Sequence, residues 1–84
     1  MYRTRTYPEA RDAIAALPEV ALAGYAEALG VMRLGPWNGL PINKSNSGGA
    51  VRQLVFGPGG HGLVTYLILE DQRQVDVLEA QWAG

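Results

Sequence analysis

The sequence predicts an α+β fold: a β-α-α-β-β-β chain whose αα-hairpin packs on one face of an antiparallel twisted sheet. Three observations predict it. After residue 7, apolar residues recur at three- and four-residue spacing for about 25 residues, broken once by Pro18. From Val51 to Trp82, three runs rich in β-branched and aromatic residues are separated by short polar or glycine-rich links. With 84 residues, 48% of them hydrophobic, and a net charge of −1, the chain is read as one domain spanning 1–84.

The first element is a strand, YRTRTY, at residues 2–7. Tyr2, Thr4 and Thr6 alternate with Arg3, Arg5 and Tyr7, so one face is cationic, which suits an edge strand or a ligand-facing side. Pro8 then opens a helix with Glu9 and Asp12 in its first turn, where the helix dipole favours negative charge. Its apolar stripe is Ala10, Ala13, Ile14 and Leu17. Pro18 ends that helix and suits the start of a second, from Glu19 to about Leu34. The expected stripe there is Val20, Leu22, Ala23, Ala26, Leu29, Met32 and Leu34, with Gly24 and Gly30 each weakening the helix by roughly 1 kcal/mol relative to alanine.

Residues 35–50, GPWNGLPINKSNSGGA, read as a long loop. Trp37 is expected to anchor it, with base stacking as the other role open to it. Strands follow at 51–56, 63–69 and 75–82, joined as an antiparallel meander that the N-terminal strand completes. LVTYLIL is apolar on both faces and is expected to be central. On the last strand, parity puts Leu78, Ala80 and Trp82 toward the core, and Glu79 and Gln81 on the other face with Val75 and Val77.

Composition narrows the function classes. No cysteine means no disulfide and no thiolate metal site, which fits a reducing cytoplasm. The N-terminus lacks the apolar core of a secretory signal, and GLVTYLIL is too short to span a bilayer, so no membrane role is expected. The pI of about 5.7 lacks the basic excess of most nucleic-acid binders. Any RNA contact must rest on local clustering, and Arg3, Arg5, Lys44 and Arg52 all lie outside the helices.

The stretch FGPGGHG, residues 56–62, holds the single histidine. It is not a phosphate loop, because no Lys-Ser/Thr and no helix follow it. It reads as a hairpin bend whose glycines supply positive φ. His61 is then either a solvated turn histidine or a proton-transfer group at the sheet edge. One histidine without cysteine does not make a usual zinc site, so neither metal nor cofactor is expected. Arg52 is the charged residue in an otherwise apolar strand. On the open face its planar fork would meet a phosphate; on the helix-covered face it would need a buried partner. Glu79 is a solvated carboxylate or a general base.

With those residues in place, the layout resembles the RelE/ParE superfamily of bacterial toxin–antitoxin toxins. The resemblance lies in the αα-hairpin broken at Leu17-Pro18, the Pro- and Gly-containing loop, and the meander VRQLVFGPGG, GLVTYLILED, VDVLEAQW. It covers nearly the whole chain. It implies a small cytoplasmic toxin neutralised by a cognate antitoxin. RelE-like members cut mRNA on the ribosome without metal, by 2′-OH attack; ParE-like members poison DNA gyrase. Carried over, Arg52 would contact phosphate and Lys44 would help hold it, with Arg3 and Arg5 as further substrate contacts. His61 or Glu79 would handle the proton. The arginine of the family's "YRLVY" strand falls on Leu63, and His61, two residues earlier and on the same face, is the residue that would stand in. The alternative within the resemblance is a non-catalytic module: a gyrase inhibitor or an inactive relative that binds an antitoxin.

Overall fold

The computed structural model describes residues 1–43 and 45–84. Lys44, expected to hold phosphate, lies outside the described residues. Strand β1 (Arg3–Thr6) leads into helices α1 (Pro8–Ala15) and α2 (Glu19–Leu34). A two-residue strand β2 (Leu40–Pro41) follows, then the meander β3 (Val51–Phe56), β4 (Gly62–Leu69) and β5 (Gln74–Trp82).

These elements make one five-stranded sheet in the order β1-β5-β4-β3-β2. The expected meander is present and antiparallel, and β4 is central. Two features refine the expectation. β1 joins the sheet parallel to β5, and the helical pair carries the chain from this edge to β2 and β3 on the far side of the sheet. Within the expected loop, Leu40 and Pro41 pair with Gln53 and Arg52 and extend the opposite edge.

Both helices lie on one face of the sheet. The core beneath them combines Tyr25, Ala28 and Met32 with Phe56, Val64, Tyr66, Ile68, Val75 and Val77. The buried stripe of α2 is Ala21, Tyr25, Ala28 and Met32, at i, i+4, i+7 and i+11. The expected stripe is thereby corrected, since Val20, Leu22 and Leu34 are exposed. Beside this stripe the helix backbone approaches the sheet closely at Gly24. A Cβ on Gly24 would lie 2.5 Å from the backbone nitrogen of Gly57, so α2 touches the β3–β4 bend only because that position has no side chain.

The bend itself is as expected: Gly57, Gly59 and Gly60 have φ of 83°, 67° and 68°. Parity fails on β5. Thr65 pairs with Glu79 but Tyr66 pairs with Val77, which leaves Leu78 as the extra residue of a β-bulge. The bulge flips the alternation, so Val75 and Val77 face the helices together with Ala80, while Glu79 and Gln81 stay exposed. Leu78 leaves the core face to which parity assigned it.

Candidate functional site

Arg52 sits on the helix-facing side of β3, opposite Tyr66 on β4, and is 7% exposed. A buried guanidinium needs acceptors for its donors. They come from the loop: Nε donates to the Gly49 carbonyl at 2.9 Å and Nη2 to Ser47 at 2.6 Å. Nη1 donates to Trp37 at 3.2 Å and Gly39 at 3.0 Å. The guanidinium also lies 5.1 Å from the Trp37 ring centroid. Arg52 is therefore the post that holds Trp37, Gly39, Ser47 and Gly49 together, and its buried partners are carbonyl oxygens. Of the two placements its strand allowed, the structure shows the helix-covered one.

A second cluster fixes the base of the same loop. Glu70 Oε1 accepts from the Tyr2 hydroxyl at 2.6 Å and from Trp37 Nε1 at 2.8 Å. Glu70 Oε2 accepts from Arg73 at 3.0 Å, and the Arg73 guanidinium stacks 4.4 Å from the Tyr2 ring centroid. The hydrogen bonds from Tyr2 and Trp37, with Arg73 behind them, hold the Glu70 carboxyl below the usual range, and the Glu70 bond pushes the Tyr2 hydroxyl up. Trp37 is thus the loop anchor. Glu70, which sequence reading passed over as one acid in a polar turn, is the acceptor that joins the N-terminus, the loop and the β4–β5 turn.

The remaining site candidates do not converge. Glu79 is exposed on the open face opposite Thr65. His61 is exposed in the bend, its ring 6.0 Å from that of Trp82. Four residues separate His61 from Thr65, which places it about 13 Å along the strand from Glu79 at ~3.3 Å per residue. Arg52 is on the sheet's other face. The three side chains therefore do not form one cluster.

Charge gathers instead at the β1 edge. Five of the six arginines lie there: Arg3, Arg5, Arg11, Arg33 and Arg73. Arg5 pairs with Asp76 at 2.8 Å, and Gln74 donates to the same carboxylate. Burial pushes Asp76 up, but the bonds from Arg5 and Gln74 outweigh it and leave the group below its ordinary value. Arg5, Arg11 and Arg33 line a cleft of about 510 Å³ with Thr4, Thr6 and Leu29. Arg3 and Arg5 were legible as a cationic strand face. Arg11 and Arg33 were not, because which side of each helix meets β1 is a tertiary fact.

A two-helix layer on a mixed sheet with a bulged β5 and an arginine-rich edge makes a small α+β domain. No family model and no curated protein matches the sequence. Solved structures do match in fold. One is a chain of the intact Escherichia coli RelBE toxin–antitoxin complex, with TM-score 0.72 and 14% identity, covering 100% of this chain and 99% of that one. Another is from the archaeal RelE–RelB complex of Pyrococcus horikoshii, with TM-score 0.66, 17% identity, and coverage of 99% and 96%. A third is from the RelBE2 toxin–antitoxin complex of Mycobacterium tuberculosis, with TM-score 0.64, 18% identity, and coverage of 98% and 91%. The chain therefore has the fold found in RelBE complexes, as the layout of its sequence led us to expect.

Proposed function

We propose that this chain, acting as one domain over residues 1–84 in the cytoplasm, is the toxin-fold member of a toxin–antitoxin pair. The observation that carries this reading is the end-to-end fold match to chains from three toxin–antitoxin complexes. Among the described residues, no helix is long and apolar enough to cross a membrane.

Of the two activities weighed for such a fold, the geometry favours the non-catalytic one. Ribosome-dependent mRNA cleavage by 2′-OH attack needs a cation on the phosphate and an acid–base group within hydrogen-bond reach of the reacting oxygens. Here the donors of Arg52 are taken up by loop carbonyls, and His61 and Glu79 stand apart on the open side. The chain then acts by binding: to its antitoxin, and to a target protein such as DNA gyrase. Arg3 and Arg5 are exposed on the open edge, Arg5 with one nitrogen engaged by Asp76, and this is what keeps the cleavage reading as the second one.

The test is induced expression in a bacterial host, with and without the product of the adjacent gene. Growth, mRNA 5′ ends and plasmid supercoiling are scored together. The binding reading expects a stable complex with the adjacent product and no new mRNA ends. Codon-phased mRNA cuts that vanish in His61→Ala or Glu79→Gln would establish cleavage instead. No complex and no effect on growth would refute the pairing itself.

A further inference from the structure

Three elements wall the cleft on the β1 side of the helical layer. Thr4 and Thr6 pair with Val75 and Val77 in a parallel ladder, so they turn their side chains to the same helix-covered face. α1 offers Arg11 and Ile14, three residues apart, and α2 offers Tyr25, Leu29 and Arg33 at i, i+4 and i+8. The N–H of Tyr2 donates to the Arg33 carbonyl at 2.8 Å and ties the end of α2 to the start of β1. The cleft volume of about 510 Å³ falls in the ~300–1,000 Å³ range usual for small-ligand sites.

Two features of this cleft are left open by the fold. Arg11 and Arg33 have no carboxylate within ion-pair distance among the described residues, whereas Arg5 at the rim is held by Asp76. Tyr25, 6% exposed, is the one described residue with a buried side-chain polar atom that lacks a hydrogen-bond partner. Its ring packs edge-on to Phe56, a contact that phenylalanine would make equally well. A buried hydroxyl without an acceptor costs stability, so its acceptor is expected from outside the chain. Burial pushes that hydroxyl up, which keeps it a donor at neutral pH. Two free guanidiniums, two threonine hydroxyls and a phenol are more donors than one carboxylate accepts. A terminal phosphate, with three oxygens and nearly two charges, matches them. Ile14 and Leu29 leave an apolar wall for the organic body that carries it. A nucleic-acid strand would meet Arg11 and Arg33 from outside and leave the Tyr25 hydroxyl unpaired.

We propose that the cleft between β1, α1 and α2 binds a small phosphomonoester of nucleoside-monophosphate size. Arg11 and Arg33 grip the terminal phosphate, Tyr25 donates to it from the floor, and Thr4 and Thr6 donate from the β1 wall. Ile14 and Leu29 pack against the organic body. The site lies on the helix side of β1, away from the open sheet face, and it does not depend on the toxin–antitoxin reading.

The probes are adenosine 5′-monophosphate and phenyl phosphate, compared with adenosine and with a short oligoribonucleotide ending in hydroxyls. Binding to the purified chain is followed by calorimetry and by amide shifts at Thr4, Thr6, Tyr25 and Leu29. Both phosphomonoesters are expected to bind with Kd below about 1 mM, to move those amides and to weaken with salt; adenosine should bind about tenfold more weakly or worse. Tyr25→Phe keeps the ring packing and should lower affinity about tenfold while its urea midpoint does not fall. Arg11→Gln with Arg33→Gln, both at exposed helix positions, should abolish binding with the midpoint held. Binding of neither phosphomonoester at about 10 mM, adenosine bound as well as its monophosphate, or wild-type affinity in Tyr25→Phe would each overturn the proposal. A preference for the oligoribonucleotide would overturn it too, because a strand draws on the outer arginines and not on the floor.

Discussion

Replacing Arg52 is a test of stability before it is a test of chemistry. Arg52→Ala removes four hydrogen bonds to the carbonyls of Trp37, Gly39, Ser47 and Gly49. Of these, the bond to Gly39 is fully buried, and losing it strands that carbonyl at a cost of about 1–3 kcal/mol. The other three are partly exposed, so water replaces much of what is lost, and together they add about 1 kcal/mol. The vacated stem and the stacking on Trp37 add a further ~1 kcal/mol. The sum is about 3–5 kcal/mol, a large share of the 5–15 kcal/mol typical of whole domains. Arg52→Lys keeps the charge but not the fork and should fall about midway. Urea unfolding measures this directly: the midpoint should drop with little change in slope, and amides of residues 37–43 and 45–49 should exchange faster. An Arg52→Ala protein within about 0.5 kcal/mol of wild type would refute the assignment. It would return the guanidinium to the open face and to ligand contact.

Other substitutions discriminate between local preference and packing. Gly24→Ala should destabilise by about 1–3 kcal/mol despite its better helix propensity, because the new methyl meets the Gly57 backbone at 2.5 Å. Gly30→Ala, on the same helix with nothing within 4 Å of the added carbon, should stabilise by about 0.5–1 kcal/mol in the same urea assay. Tyr25→Phe deletes a buried hydroxyl that has no hydrogen-bond partner and should be neutral or stabilising by about 1 kcal/mol in thermal unfolding. Acid should weaken the fold in a defined direction. Glu70 and Asp76 both titrate below their ordinary values when folded, so their stabilisation is full above about pH 5 and is lost as pH falls through the folded pKa values. A pH series of urea midpoints should show that loss, and Glu70→Gln should flatten part of it.

Periodicity alone carried the order of the main elements. Prolines at 8 and 18 and the spacing between them set both helices, and the glycines of FGPGGHG set the bend, because these constraints are local to the backbone. The apolar run LVTYLIL likewise marked the central strand, which is flanked by β3 and β5, although its second face, with Leu63, Leu67 and Leu69, is only half-buried. The choice of α2 face was decided elsewhere. Ala21, Tyr25, Ala28 and Met32 face inward, and beside them Gly24 meets Gly57, a residue 33 positions further along. The bulge at Leu78 belongs to a pairing between strands and cannot be read from either strand. Arg52 shows the division most clearly. Sequence identified it as singular and stated that a helix-side arginine would need buried partners. Only the fold brought four carbonyls of the loop to it, and only the fold gathered Arg11 and Arg33 beside Arg3 and Arg5 at the outer strand. Local dihedral preferences act over a few residues and are written in the chain. Which side chain finds which carbonyl, and which charges become neighbours, depends on contacts between residues distant in sequence that exist only once the sheet has closed its register.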